Sequence, residues 1–357
     1  MCGLAGFWAQ GRTHSVGELS QTAMRMADAL VHRGPDDSGS WSDADLGLAL
    51  CHRRLSVIDL SAAGHQPMMS FSNRFVISFN GEIYNHKELR VQLTTEDGIT
   101  AWRGHSDTET LLAGFEHWGV GATLERCVGM FAFALWDTHS KTLTLARDRI
   151  GEKPLYYGWS GGAFLFGSEL KALRAYPEFD SIVCRDALTQ YVRFSYVPAP
   201  RSIYQGIYKL EPGCILTVEG SPPNEAPSNP LRPGDTYGSM RIDRWWAFKD
   251  SVEKGVDNVS SESELITQLE QTLTKAVSLQ LLADVPLGAF LSGGVDSSSI
   301  VALMQQQARA QDSDPVKTFT IGFDEGGFDE SAYARAVAEY LGTEHHEMRV
   351  TAKMAQD

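Results

Sequence analysis

A break in composition near residue 220 limits how this chain can fold. Residues 220–240 contain five prolines and few apolar side chains, while the sequence on either side has the periodic apolar pattern of packed elements. Proline has no backbone N–H and is disfavoured in helix interiors and central strands, so we predict a loop here. The chain is then expected to divide into a unit over residues 2–219, a Pro-rich linker over 220–261 and a second unit over 262–357.

Before the break, short strands alternate with helices. Leu4 to Ala9 is predicted as a strand, and Val16 to His32 carries apolar residues at helical spacing. Ser106 is predicted to cap a helix that continues to Trp118, because acidic residues follow it directly. Further strands are predicted at Gly47–Leu60, Phe75–Ser78, Phe131–Asp137, Thr142–Arg147, Leu155–Trp159 and Ala163–Ser168. The pattern indicates a meandering sheet covered by helices.

After the break, the rhythm becomes helix, strand, helix, strand, helix. The predicted elements are Glu262–Leu282, Pro286–Leu291, Ser297–Ala310, Val316–Phe323 and Ala332–Gly342. Strands that alternate with helices of this length predict a parallel, doubly wound sheet. Because only two or three strands are reached by Asp357, we expect the natural domain to continue further.

Composition excludes several classes of protein. A net charge of -14 with no basic stripe argues against a nucleic-acid binder. No apolar run approaches the roughly 20 residues that cross a bilayer. The cysteines are scattered without a CxxC pair, which argues against a disulfide framework or a zinc site and predicts a reducing cytoplasm. They are Cys2, Cys51, Cys127, Cys184 and Cys214.

Cys2 is the first candidate for chemistry, since it directly follows Met1. Methionine is normally removed before a small residue, which would leave Cys2 with a thiol and a free α-amine. Their ordinary pKa values of about 8.5 and about 8 let the amine accept the thiol proton near neutral pH. The alternative is a buried, unreactive cysteine on a first strand. The segments that follow favour an N-terminal nucleophile.

An attacking thiol needs an oxyanion hole and a grip on the charged end of its substrate. Asn80 and Gly81, which are predicted to follow a strand, offer a side-chain amide and a backbone N–H. Arg54 lies beside a short polar loop, and Asp107 lies at a helix start. Taken singly, these residues also fit a hairpin turn, a surface salt bridge and a helix cap. Their order behind Cys2 favours the catalytic interpretation.

A second candidate site lies at residues 291–298, between a predicted buried strand and a helix. Gly293 and Gly294 allow a close backbone approach, and N–H groups at a helix start favour a phosphate anion. Ser292, Ser297 and Ser298 add hydroxyl donors. The segment is not a P-loop of the G-x-x-x-x-G-K-[ST] type, and the alternative is an ordinary strand-to-helix turn.

These motifs together resemble class II glutamine amidotransferases and, among them, the B-type glutamine-hydrolysing asparagine synthetases. The matching segments are Cys2, residues 32–36, Arg54–Ser56, Asn80–Asn85, Ser106–Glu109, Arg147–Gly151 and, as a pyrophosphate loop of the ATP pyrophosphatases, Leu291–Ser298. Only the Pro-rich segment falls outside the resemblance. The resemblance implies an α+β N-terminal-nucleophile αββα sandwich, followed by part of an α/β parallel-sheet ATP-pyrophosphatase domain.

The resemblance implies roles in a glutaminase. Cys2 would attack the side-chain amide of glutamine, and Asn80 with the Gly81 N–H would hold the oxyanion. Arg54 would pair with the α-carboxylate of glutamine. Glu82 and Asp107 would receive its α-ammonium group. The backbone of the following stretch would line the pocket, namely Leu55, Ser56, Val57 and Ile58.

The resemblance also implies an ATP site. The residues that match the pyrophosphate loop are Ser292, Gly293, Gly294, Asp296 and Ser297. Asp296 would help to hold Mg²⁺ against the phosphates. Leu291 and Ile321 match positions around the adenosine.

The expected partners are glutamine, ATP and a small carboxylate acceptor, with aspartate as the default and asparagine, AMP and pyrophosphate as products. A homodimer is compatible with the resemblance.

Other functions stay open at this point. A sugar acid of a surface polysaccharide could replace aspartate as the acceptor. A cyclase similar to β-lactam synthetase shares both domains but needs no ammonia, and the intact Cys2, Arg54, Asn80 and Asp107 argue against it. A regulatory module with a glutaminase fold would lack a nucleophile or an oxyanion loop, and the sequence has both.

Overall fold

The computed structural model separates into two compact units, Met1–Asp257 and Asn258–Asp357. It describes residues 2–9, 11, 14–96, 98–255, 260–324, 327, 329–351 and 353–354. No helix in these ranges is both long and apolar enough to cross a membrane.

The first unit contains thirteen strands and seven helices among its described residues. In chain order they are β1 (Gly3–Ala9), α1 (Val16–Asp28), β2 (Asp37–Asp43), β3 (Leu48–Arg54), β4 (Met68–Met69), β5 (Phe75–Ile83), α2 (His86–Thr95), α3 (Asp107–His117), α4 (Val120–Arg126), β6 (Gly129–Asp137), β7 (Thr142–Arg147), β8 (Tyr156–Ser160), β9 (Ala163–Gly167), α5 (Leu170–Arg174), α6 (Arg185–Phe194), β10 (Ile207–Lys209), β11 (Cys214–Glu219), β12 (Thr236–Tyr237), β13 (Met240–Arg244) and α7 (Phe248–Gly255).

These strands form two antiparallel sheets. The first has six strands in the order β10-β8-β9-β1-β3-β2, and the second has seven in the order β12-β13-β11-β7-β6-β5-β4. Their facing sides share one apolar core, in which Trp8 of β1 meets Trp136 of β6 edge to face at 5.2 Å. Burial of these large aromatic side chains holds the sheets together.

Helices cover the outer face of each sheet. On the first sheet, Leu19 and Met26 of α1 pack against Phe7 of β1. On the second, Leu111 and Phe115 of α3 pack with the outward side chains of β5 and β6. The layers are therefore helix, sheet, sheet, helix, which confirms the predicted αββα sandwich.

Three expectations about this unit are wrong. The strand predicted over Gly47–Leu60 ends at Arg54, the last residue of β3. The strand that begins at Phe75 does not end at Ser78 but continues to Ile83, because β5 pairs with β6 along its whole length. Asn80 and Gly81 therefore lie within a strand.

The segment 220–261, predicted as a linker, contains β12, β13 and α7, and β13 pairs with β11. The five prolines precede these elements, and Met240 and Ile242 of β13 are buried in the core between the sheets.

The second unit has a three-stranded sheet with helices in the connections. Its described elements are α8 (Glu262–Gln280), β14 (Gly288–Phe290), α9 (Val295–Ala310), β15 (Lys317–Phe323), α10 (Ser331–Leu341) and β16 (Glu344–Val350). The strands run parallel in the order β14-β15-β16, which confirms the predicted parallel sheet. Leu291 and Val301 are buried with Ala334 and Ala338 of α10. On β15, the side chains of Phe319 and Ile321 are exposed.

Candidate active site

Cys2 directly precedes β1, the strand that lies between β3 and β9. The backbone N–H of Leu55 donates to its Sγ at 3.3 Å, and Arg33 Nε donates to its carbonyl oxygen at 2.9 Å. Glu169 fixes Arg33 through an ion pair of 2.7 Å. Burial raises the pKa of the Cys2 thiol, so a base is needed to form the thiolate.

One edge of β5 presents backbone N–H groups next to Cys2. The N–H of Phe79 donates to Gln66 Oε1 at 2.7 Å, and the N–H of Ile83 donates to Asp107 Oδ2 at 2.9 Å. Alternate N–H groups of a strand point to the same edge. The N–H of Gly81, midway between these two, therefore points to that edge as well.

The pairing of β5 with β6 agrees with this direction. Gly81 faces Phe131 across the two strands. Both backbone groups of Phe131 are bonded to Asp148, since the Phe131 N–H donates to Asp148 Oδ2 at 3.1 Å and its carbonyl accepts from the Asp148 N–H at 2.8 Å. A Cβ at Gly81 would lie 2.3 Å from the Met130 carbonyl oxygen, so a side chain here would push the strands apart.

Asn80 carries the clearest sign of function in the first unit. Its side chain is 1% exposed, and neither its Nδ2 nor its Oδ1 has a hydrogen-bond partner in the part of the chain that the structure describes. A buried amide without partners costs about 1–3 kcal/mol of stability. Asn80 lines the same cavity as Cys2, so a ligand in this cavity can supply the partner.

Arg54 is buried and holds a loop. Its Nη1 donates to the Ser61 carbonyl at 3.1 Å, and its Nη2 donates to the carbonyls of Ile58, at 3.4 Å, and Asp59. A Cβ at Gly64 would lie 1.9 Å from Nη2, so this glycine makes room for the guanidinium. Arg54 has five N–H donors, and those that the loop does not use remain for an anion in the cavity.

Two acidic side chains, Asp107 and Glu82, also line the cavity. Asp107 begins α3 behind the Ser106 cap, and it accepts from the N–H groups of Ile83 and Thr108. Burial raises the pKa of Asp107 to about 6, and burial together with the charge of Asp107 raises the pKa of Glu82. A cation bound between them would relieve both effects.

The cavity has a volume of about 150 Å³. Most residues that the sequence nominated for glutamine line it, namely Cys2, Arg54, Leu55, Val57, Ile58, Asn80, Gly81, Glu82 and Asp107. Ser56 does not, because its N–H donates to Asp36 Oδ2 at 2.8 Å instead.

Sequence reasoning missed Gly64, Gln66 and Lys153, which also line the cavity. Lys153 could have been found from the segment Arg147–Gly151, which was singled out without a role. Asp148 accepts from the Lys153 N–H at 3.0 Å, and Arg147 Nε donates to the Lys153 carbonyl at 2.7 Å. Burial lowers the pKa of Lys153, while the charge of Glu82 opposes that shift.

In the second unit, the loop after β14 is shaped by glycine. Gly293 has a left-handed backbone with φ +80°, and a Cβ there would lie 2.7 Å from the backbone nitrogen of Ala334. The Gly294 N–H donates to Ser292 Oγ at 3.3 Å, and the hydroxyls of Ser292 and Ser297 are 2.9 Å apart. Gly294 is the N-cap of α9, so the loop leads into a helix N-terminus.

The hydroxyl of Ser298 is buried and has no hydrogen-bond partner among the residues that the structure describes. Asp296 lies exposed in the first turn of α9. Hydroxyl and N–H donors beside a carboxylate suit a phosphate with its divalent cation. No group of three His, Cys, Asp or Glu in the described ranges could hold a metal by itself.

The two predicted adenosine contacts do not share a face of the sheet. Leu291 follows β14 and lies in the core under α9 and α10, with 2% of its surface exposed. Ile321 lies on β15 with 48% exposed, on the face opposite to its buried neighbour Thr320. The Leu291 carbonyl accepts from Thr320 Oγ1, so the loop is tied to β15 through Leu291.

Comparisons with known proteins found a family match in each of the two units. Residues 1–225 match the glutamine amidotransferase domain, and residues 268–357 match asparagine synthase. The chain is 34% identical, over 97% of its length, to asparagine synthetase [glutamine-hydrolyzing] 1 of Bacillus subtilis. The chain belongs to the glutamine-hydrolysing asparagine synthetase family. It spans about half the length of the curated relatives it matches, with 49% of the B. subtilis protein covered.

The family extends beyond proteins named for asparagine. Amidase chry2 of Gibberella zeae is 32% identical over 97% of this chain, which covers 50% of that protein. Among solved structures, the glutamine phosphoribosylpyrophosphate amidotransferase of B. subtilis complexed with ADP and GMP is similar over 97% of this chain and 65% of that chain. The identity is 16% and the TM-score 0.47.

Proposed function

We propose that the first unit hydrolyses glutamine to glutamate and ammonia with Cys2 as the nucleophile. The observation that carries the proposal is the pair of donors beside Cys2, which are the Asn80 amide, without a partner among the described residues, and the Gly81 N–H at the edge of β5. A tetrahedral intermediate with a negative oxygen would accept hydrogen bonds from both donors.

The reaction uses groups of this chain at each step. Removal of Met1 frees the α-amine of Cys2, which takes the thiol proton. The Leu55 N–H stabilises the resulting thiolate. Sulfur attacks the side-chain carbonyl carbon of glutamine, and its oxygen moves into the Asn80–Gly81 site. The C–N bond breaks, the leaving nitrogen takes the proton, and ammonia departs. Water then hydrolyses the γ-glutamyl thioester, which restores Cys2.

Recognition of glutamine follows from the charges around the cavity. Arg54 would pair with the α-carboxylate, while Glu82 and Asp107 would receive the α-ammonium. The raised pKa values of these two carboxyl groups support this role, because a bound cation stabilises their ionised forms.

We further propose that the second unit contributes to an ATP site. The loop with Ser292, Gly293, Gly294, Asp296 and Ser297 would hold the pyrophosphate of ATP, and Asp296 would hold Mg²⁺. When bound, ATP would supply an adenylyl group that activates a carboxylate for attack by ammonia, with pyrophosphate as the leaving group of the activation. Leu291 is proposed to contribute through its backbone, whereas the exposed side chain of Ile321 is free to meet the adenosine.

Aspartate is the proposed acceptor, and asparagine the product, because several relatives are named for this reaction. The amidase-named relatives support a different carboxylate as the second candidate. ATP–pyrophosphate exchange that requires aspartate would support the first, and exchange that requires another carboxylate would support the second.

The test of the glutaminase proposal is release of glutamate from glutamine by the purified protein, after mass spectrometry has shown that Met1 is removed. Turnover that stops when a diazoketone analogue of glutamine labels Cys2 supports the proposal. Absence of both turnover and labelling in the folded protein would overturn it.

A further inference from the structure

Asp59 stands out among the residues around the cavity, although neither the sequence patterns nor the proposed chemistry assigns it a role. It is fully buried and has a left-handed backbone with φ +57°. This conformation is uncommon for a residue other than glycine, and strained backbone of this kind is concentrated at functional sites.

The backbone of Asp59 contacts the Arg54 side of the cavity. Its carbonyl accepts from Arg54 Nη2, next to the bonds from the same guanidinium to Ile58 and Ser61. Gly64 lies directly against the same guanidinium, since a Cβ there would lie 1.9 Å from Nη2. The position of Arg54 in the cavity therefore depends on the turn that Asp59 forms.

The carboxylate of Asp59 contacts the Asp107 side. Its Oδ2 accepts from the His105 N–H at 2.8 Å, and its Oδ1 accepts from the Ser61 N–H at 3.1 Å and from Ser61 Oγ. Burial opposes its ionisation, but the hydrogen bonds from Ser61 and His105 lower the pKa of Asp59.

The segment that carries His105 leads directly into α3. A Cβ at Gly104 would lie 2.2 Å from Asp59 Oδ2, so this segment lies tightly against the carboxylate. The next residues are the Ser106 cap and Asp107 itself. One side chain thus ties the start of α3 to the turn that holds Arg54.

We propose that Asp59 is a positioning residue, which fixes the spacing between Arg54 and Asp107 and so sets the selectivity of the cavity for a free α-amino acid. The inference rests on the proposed function, because Arg54 and Asp107 are taken to hold the carboxylate and the ammonium of glutamine. Asp59 would act on substrate binding and would leave the reactivity of Cys2 unchanged.

The test compares Asp59→Asn with Asp137→Asn. Asparagine tolerates a left-handed backbone, so the first substitution removes one acceptor and the charge but keeps the turn. Asp137 is a matched control, because it is also a buried carboxylate that accepts from two backbone N–H groups, His139 and Ser140, and from Arg74. It does not line the cavity.

Each variant is measured in two ways. The first is the steady-state kinetics of glutamine hydrolysis. The second is the rate at which Cys2 is modified by two reagents, the diazoketone analogue, which has an α-amino acid end, and iodoacetamide, which has none. For Asp59→Asn we expect the KM for glutamine to rise about tenfold or more, with kcat within about threefold. The diazoketone reaction should slow at least as much, and the iodoacetamide reaction should not.

The other outcomes separate the two proposals. Wild-type kinetics in Asp59→Asn, or equal slowing with both reagents, would overturn the positioning role. A rise in KM in Asp137→Asn as large as that in Asp59→Asn would also overturn it. Failure of the folded wild-type protein both to hydrolyse glutamine and to react with the diazoketone would instead overturn the proposed function.

If Asp59→Asn does not fold, Ser61→Ala provides the test of the positioning role of Asp59. It removes the hydroxyl that donates to Asp59 and keeps the Ser61 carbonyl that accepts from Arg54. We expect the KM for glutamine to rise about threefold with kcat unchanged. An unchanged KM would contradict the proposal.

Discussion

The two units prepare their candidate sites in opposite ways. In the first unit, three of the side chains proposed to meet glutamine are buried before any ligand arrives, namely Arg54, Asn80 and Asp107, which are 6%, 1% and 6% exposed. In the second unit, Asp296 and Ile321 are exposed, while Leu291 and the backbone around Gly293 are fixed by packing. Buried polar groups reduce stability and gain in return a site that needs little rearrangement. An exposed loop, such as the one in the second unit, does not lose stability in this way. Its final arrangement depends more on the ligand that binds to it.

The largest effect is expected from a substitution that removes the proposed nucleophile of the first unit and leaves the second unit unchanged. Cys2→Ser should lower glutamine hydrolysis by about 10³-fold or more, because a hydroxyl is a far weaker nucleophile than a thiolate. Glutamate release measures this effect. The control is Cys184→Ser, which changes a half-buried cysteine outside the cavity. A comparable loss of glutamate release in both variants would contradict the assignment of Cys2 as the nucleophile.

The next effect tests whether the first unit trades stability for function. Asn80→Ala should lower kcat by about 10²–10³-fold, equivalent to about 2.7–4 kcal/mol of transition-state stabilisation. Because this amide has no partner in the described chain, the melting temperature should stay the same or rise. Kinetics and thermal unfolding are measured on the same sample. A large fall in melting temperature would mean that the amide is structural.

A substitution in the second unit tests whether backbone shape alone makes its site. Gly293→Ala places a side chain on a left-handed residue against Ala334, so nucleotide affinity should fall about tenfold or more. The KM and kcat for glutamine hydrolysis should stay within about twofold. Calorimetric titration with ATP and the glutaminase assay provide the two readouts. Unchanged ATP affinity would contradict the proposed loop.

The smallest effect concerns pH. The pKa of Asp107 is raised to about 6, and only its ionised form holds an ammonium group. Affinity for glutamine should therefore be lost as the pH falls through 6, with the KM about tenfold higher at pH 5 than at pH 7. In Asp107→Asn the KM should be high at both values. A KM that does not change between pH 7 and pH 5 in the wild-type protein would remove Asp107 from recognition.

The two units also differ in how much of them was predictable. Local signals worked well. Ser106 was predicted as an N-cap, and its Oγ accepts from the Glu109 N–H at 3.2 Å. The alternation of strands and helices after residue 262 predicted the parallel sheet, because that pattern follows from chain geometry.

Long-range pairing was harder to predict. The polar residues Asn80 and Glu82 interrupt the apolar pattern in the second half of β5, so the sequence does not predict a strand there. The strand forms because β6 pairs with it. The strand β13 follows a run of prolines and is held by β11. Gln66 reaches the cavity from a loop that no local pattern connects to Cys2. Tertiary contacts decided these features, and local propensity did not.

The most direct test of the account is the covalent intermediate on Cys2. The wild-type protein is mixed with glutamine, quenched with acid during turnover, digested and analysed by mass spectrometry. The account predicts one glutamyl group on the peptide that begins with Cys2, in wild type and at lower occupancy in Asn80→Ala. Turnover with no adduct on this peptide, or equal turnover in Cys2→Ser, would contradict the claim that Cys2 is the nucleophile.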